Sequence, residues 1–236
     1  MKKSILFLLL IGSLLFQTTA AIASYLYGIE AGDKIKFVQR TGPNGGGEFK
    51  WVADTNKNNI FGDLGDYTWQ SFCVEKNEYI TQNTAYTVEG ISGYAKAGGI
   101  GGHDAFINGK TADSLGNETA WLFWNFSKGT LGTGAYAYTS TYEQEGYLQN
   151  VIWFLEDEIS SLDTKTKNFY NSWHADYLTA YNSGWRNNGQ VQVVNLGVGR
   201  QDQLIIGHHA PEPATMLLFG FGLIGLAGIG RKKMDK

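Results

Sequence analysis

The sequence predicts an α+β fold: a β sandwich or barrel with a helical subdomain inserted at about residues 115–183, plus a C-terminal transmembrane helix. Three observations carry this reading. Short runs alternating at period two fill the first half of the chain and return near its end. Apolar residues spaced three and four apart fill the middle. An uncharged, largely apolar run from Ala214 to Gly230 comes last.

Taken in order, Tyr25-Leu26-Tyr27-Gly28-Ile29 is a short strand candidate, and Lys34-Ile35-Lys36-Phe37-Val38 alternates cleanly. The turn Gly42-Pro43-Asn44-Gly45-Gly46-Gly47 leads into Phe49-Lys50-Trp51-Val52. Thr68 to Val74 alternates again, with aromatic and β-branched residues suited to a half-buried strand, and Tyr86-Thr87-Val88 follows. Gly90 to Gly102 reads as a loop between strands. It lacks the GxGxxG spacing of a phosphate-binding turn. Asn117 is placed to cap a helix through Ala120 to Trp124. Ser140 followed by Glu143 has the form of a capping box. Leu148, Ile152, Leu155 and Ile159 then form one apolar helix face, and Lys167 to Tyr181 reads as a third helix. Strands return at Gln190 to Leu196 and Gln203 to Ile206.

The two ends read as sorting segments. Lys2 and Lys3, the apolar stretch Ile5 to Phe16 and the small-x-small triplet Ala21-Ile22-Ala23 fit a secretory signal peptide over residues 1–23. At the other end Pro211-Glu212-Pro213 precedes the apolar run 214–230, which stops at Arg231-Lys232-Lys233. Seventeen helical residues reach about 26 Å, close to the hydrocarbon thickness of a bilayer. The basic cluster is expected on the cytoplasmic side, with everything upstream outside. This tail resembles the PEP-CTERM sorting signal of Gram-negative bacteria, over residues 211–236. The resemblance implies an exosortase-type enzyme as processing partner. It also implies export through the inner membrane, anchoring by the C-terminal segment, and delivery to the cell surface or beyond.

Between the two signals, residues 24–210 carry 13 Lys and Arg against 20 Asp and Glu, a net charge of −7. An acidic exported domain is not a nucleic-acid binder. All seven Trp fall in this stretch, enough aromatic surface for a substantial core. Cys73 is the single cysteine, where an exported domain ordinarily uses cysteines in pairs.

Two short motifs give that cysteine a context: Phe72-Cys73-Val74-Glu75 near a strand end, and Leu148-Gln149-Asn150-Val151-Ile152-Trp153 on a helix. An aromatic-Cys motif followed by an apolar-Gln-x-x-Ile-Trp motif resembles the Cys–Gln thioester domains of bacterial surface adhesins. The resemblance implies that Cys73 and Gln149 are the bond-forming pair, with loss of ammonia, and that Trp153 shields the bond. Phe72 is a further candidate shield, with Trp121 and Trp124 behind it. A thiolate is a strong nucleophile and the resulting thioester a good acyl donor, so an amine or hydroxyl of a partner can displace the sulfur. Such a domain reacts once, so turnover catalysis is not expected, and neither is a cofactor. The same two motifs also read as a buried apolar cysteine and a solvated helix-face glutamine.

Other constellations are weaker. Asp54, Asn56 and Asn58 have the alternating oxygen spacing of a calcium loop. Asn59 stands where the turn glycine belongs and Gly65 where the terminal Glu belongs, so a polar turn is expected and no metal. Of the histidines, His103, His174, His208 and His209, none has zinc spacing. Glu156, Asp157 and Glu158 read as a solvated face. Tyr136, Tyr138 and Tyr142 are candidates for a sugar-stacking surface. The expected function is thus covalent attachment of a surface-anchored domain to an extracellular or matrix partner. The alternative is a non-covalent structural or carbohydrate-binding matrix component.

Overall fold

The structure, a computed structural model, describes residues 29–43, 45–63, 66–96, 100–101, 104–107, 110–132 and 137–207. The predicted signal peptide, most of the Tyr25–Ile29 strand, His103, Tyr136, His208, His209, and the tail with Pro211, Glu212, Pro213, the 214–230 span, Arg231, Lys232 and Lys233 lie outside them. Among the described residues no helix is long and apolar enough to cross a membrane.

Among the described residues, ten strands and three helices form in the order of the pattern. Sheet one pairs β3 (Tyr67–Ser71), β2 (Phe49–Ala53), β1 (Lys34–Arg40) and β4 (Ala85–Thr87), all antiparallel. Ile35 and Phe37 point inward on β1, and a register shift between Phe37 and Gln39 bends the strand just before the Gly42–Gly47 turn. Sheet two pairs β10 (Gln203–Ile206), β9 (Val191–Asn195) and β5 (Gly90–Ser92). Sheet three pairs β6 (Tyr94–Lys96), β8 (Lys110–Ser114) and β7 (Ala105–Ile107). The loop expected over Gly90–Gly102 therefore contains two short strands. Three-residue strands rich in Gly and Ala carry too little alternation to announce themselves.

The helices follow β8 and precede β9: α1 (Asn117–Ser127), α2 (Tyr142–Leu155) and α3 (Thr164–Asn182). Their starts differ from expectation by one to three residues, each for a local reason. The cap of α1 is Gly116, because the Asn117 side chain accepts from the Asn187 backbone instead. The cap of α2 is Thr141, whose hydroxyl accepts from Gln144 N, while Ser140 sits at φ 49° and cannot serve. Asp163 caps α3 by accepting from Lys165 N and Thr166 N. The predicted face of α2 overruns its end. The chain turns at Asp157 (φ 59°), and Ile159 joins a different cluster from Leu148 and Ile152.

Packing resolves into three layers. Ile35, Phe37, Phe49, Trp51 and Trp69 of sheet one meet Val194, Leu196 and Ile205 of sheet two in one core, with Trp51 stacked on Trp69 at 5.8 Å. On the other side of sheet two, Val191, Val193 and Leu204 pack under Trp121, Phe123, Val151, Ile152 and Trp173 of the helices. Strands β9 and β10 are thus covered on both faces, which explains why Val193-Val194 and Leu204-Ile205-Ile206 are unbroken apolar runs. The sandwich-like arrangement with helices on one side agrees with the α+β expectation.

Candidate functional site

Beyond β3 the chain continues beside β10. Leu204 N donates to Phe72 O, Val74 N to Asp202 O, and Cys73 faces Gln203 as an isolated antiparallel bridge. Side chains alternate along this extended segment. Phe72 and Val74 enter the helical core, while Cys73 turns to the sandwich side, in the cluster that holds Trp153. Phe72 packs edge-on against Phe126 at 5.0 Å, on the helical side. Trp121 stacks on Trp173 in that same helical core, and Trp124 packs against it with Lys128 over its ring.

Helix α2 brings Gln149 to Cys73. The glutamine is 1% exposed and the cysteine 0%. Cys73 N donates to Gln149 Oε1 at 3.0 Å, and Gln149 Nε2 donates to Cys73 O at 2.8 Å. The carboxamide is therefore held at both ends by the main chain of one residue, 76 positions away in sequence. This arrangement fixes which end is oxygen, since the backbone N–H can only donate and the carbonyl can only accept.

The Gly-rich turn between β1 and β2 closes the site. A Cβ on Gly46 would lie 2.4 Å from Gln149 Cγ and 2.9 Å from Trp153 Cη2, and one on Gly146 would lie 2.4 Å from Pro43 Cγ. Backbone this close to a side chain admits only glycine. Trp153 is buried in the cluster that holds Cys73, and its Nε1 has no hydrogen-bond partner among the described residues. An open cleft of about 410 Å³, lined by Arg40, Gly45, Phe49 and Gln201 among others, lies on this side of the molecule.

Burial pushes the Cys73 thiol well above its usual range. The neighbouring Gln203 amide and the Arg40 charge oppose this, while Glu75 adds to it. Glu75 and Asp202 are themselves buried and both raised by that burial. Asp202 accepts from Lys96 N, Leu196 N and Asn195 Nδ2. Glu75 accepts from Asp202 N alone and leaves Oε1 without a partner among the described residues. More donors favour charge on Asp202, so the proton belongs on Glu75.

Sequence reasoning did not find Gln203, Asp202 or Glu75. Gln201-Asp202-Gln203 is a polar triplet ahead of an apolar run, and all three side chains are buried. Nothing in their order distinguishes them from a surface turn.

The acidic triplet differs from expectation. Glu156 and Glu158 are 3% exposed, and only Asp157 faces solvent. Glu156 accepts from Gly116 N, and Glu158 accepts from Lys76, Ile100 and Gly101 N, so these carboxylates bind loop backbone rather than water. The Asp54 loop is a self-satisfied turn. Asp54 accepts from Asn58 N and Asn59 N, the Asn56 and Asn58 amides donate to Asp63, and Asp66 accepts from Thr55 N and Gly62 N. Among the described residues no group of three His, Cys, Asp or Glu is arranged to hold a metal ion. His174 bonds Glu118 and Tyr170 between α1 and α3.

Comparison with known proteins bears on the tail. Residues 209–232 match the PEP-CTERM protein-sorting motif. That motif marks a chain for export, C-terminal membrane anchoring and exosortase processing. No curated protein and no solved structure matches the chain.

Proposed function

We propose that this chain is an exported, surface-anchored protein whose core forms a Cys73–Gln149 thioester and uses it to attach covalently to an extracellular or matrix partner. The signal peptide over 1–23 and the span 214–230 hold the core outside until the sorting enzyme acts. One observation carries the reading: a buried carboxamide clasped at both ends by the backbone of the only cysteine.

The clasp supplies what the reaction needs. Cys73 Sγ adds to Gln149 Cδ. The charge that develops on Oε1 is met by the Cys73 N–H already donating to it. The S–C bond forms and the C–N bond breaks. The thiol proton passes to Nε2, which departs as ammonia. The raised thiol favours this proton-coupled path over a free thiolate. Holding the carboxamide on the main chain of the residue that carries the thiol replaces a bimolecular encounter, an effect that reaches about 10⁵ M in effective concentration or more for well-aligned pairs. Attack by a partner amine or hydroxyl on the same carbonyl then frees Cys73 and leaves the partner joined to residue 149. The Gly46 turn and Trp153 keep water off the bond until a partner arrives.

Intact mass of the exported full chain tests this. A mass short by one ammonia, recovered as an amide after methylamine, supports the proposal. Full mass with an alkylatable Cys73, in protein shown not to have hydrolysed at residue 149, leaves the non-covalent matrix role as the better account.

A further inference from the structure

Gln203 is a wholly buried polar side chain at the boundary between sheet two and the Cys73 segment. It stands directly opposite Cys73 as its antiparallel bridge partner, so the two side chains share one face, with Cβ atoms about 4.5–5.5 Å apart in such pairs. Its Oε1 accepts from Trp51 Nε1 at 3.1 Å. Indole nitrogen only donates, so this bond fixes the amide's orientation and commits Nε2 to the other side. There Nε2 has a long contact of 3.3 Å to Gln201 O and a second N–H left to give. Trp51 is itself immobile, fully buried and stacked on Trp69.

We propose that Gln203 donates an Nε2–H hydrogen bond to Cys73 Sγ and that Trp51 positions it. The proposal rests on the thioester reading and adds a catalytic group to it. A neutral thiol is a weak acceptor and a thiolate a strong one. The bond therefore strengthens as sulfur takes on negative charge, once as the proton leaves it for attack on Gln149 and again when the partner nucleophile expels it. An interaction that is stronger at those moments than at rest speeds both steps.

The test separates this role from packing and from the thioester itself. Full-length Gln149→Ala leaves Cys73 a free thiol with its amide cover removed. Its alkylation by iodoacetamide at pH 8 is measured with and without Gln203→Met, which keeps volume and loses the donor. Alkylation is expected to slow about ten- to hundredfold, the weight of one hydrogen bond to a charged group. Trp51→Phe is expected to slow it less. A merely structural Gln203 predicts the opposite sign, because a loosened core exposes the thiol and speeds alkylation. Unchanged or faster alkylation overturns the proposal, whatever the wild-type mass shows. A wild-type chain at full mass with residue 149 unhydrolysed overturns the thioester reading and with it this role, whatever the alkylation rates.

Discussion

Two of the buried polar side chains that bond twice to the backbone make a useful contrast: Gln149 at 1% exposure and Asp54 at 3%. In the Asp54 loop the donors are Asn58 N and Asn59 N, four and five residues ahead. In the Gln149 clasp both partners belong to Cys73, on a different layer. The loop explains itself, since a short carboxylate turning its own backbone needs no further purpose. The clasp serves no local turn. It holds the carboxamide of one layer against the cysteine of another, and it satisfies the buried N–H and C=O of Cys73. Local spacing accounts for the loop, and the proposed reaction rests on the long-range juxtaposition of Cys73 and Gln149.

That contrast is open to direct attack, starting where the effect is largest. Cys73→Ala and Gln149→Ala are each expected to abolish methylamine incorporation completely while the chain still melts cooperatively. Incorporation unchanged in either variant breaks the mechanism. Next is pH. Burial raises Glu156 to about 7 and Asp113 to about 8 in the folded chain. Between their unfolded values near about 4 and these folded ones, the folded state holds the extra protons. Stability is therefore full below about pH 4 with respect to these groups, and it falls as pH rises through about 7 to 8. The loss is expected to be about 1–3 kcal/mol, read from denaturant midpoints, and Asp113→Asn is expected to flatten it.

Gly46→Ala sets a methyl 2.4 Å from Gln149 Cγ, so either the turn or the clasp must yield. A cost of about 1–3 kcal/mol is expected, together with faster loss of any thioester to water, followed by mass against time. Asp54→Ala orphans two backbone N–H groups for a similar cost of about 1–2 kcal/mol in thermal stability, and leaves mass and amine capture untouched. Last, millimolar calcium is expected to leave the melting temperature unchanged, because the loop's oxygens already have donors. A rise of several degrees would make the loop a binding site and erase the contrast.

Much of the fold was legible because alternation and helix period report burial directly. Lys34–Arg40, Phe49–Ala53 and Val191–Asn195 are strands where the pattern puts them, and the three helices fall within the stretch assigned to them. The strands β5 to β8 were not legible. They are three to five residues long and mix Gly, Ala and Lys, so pairing rather than sequence defines them. At the candidate site, the motifs named Cys73 and Gln149, and only the tertiary structure shows the Gln149 carboxamide bonded to the Cys73 backbone. Gln203, Asp202 and Glu75 were not found, because a buried polar residue in a strand beside a second layer looks the same in sequence as one facing water. Glu156 and Glu158 misled for that reason too: the pattern shows a charged triplet, and only the tertiary structure supplies Gly116, Lys76 and Ile100 as donors.

The central claim is that the clasp at Cys73 is a poised reaction rather than a structural hydrogen bond. Intact mass of the exported full chain, before and after methylamine, tests it most directly. The account predicts a mass short by one ammonia, with the methylamine adduct mapped to Gln149 and Cys73 released as a free thiol. A chain of full mass with unhydrolysed Gln149, inert to methylamine, would contradict it.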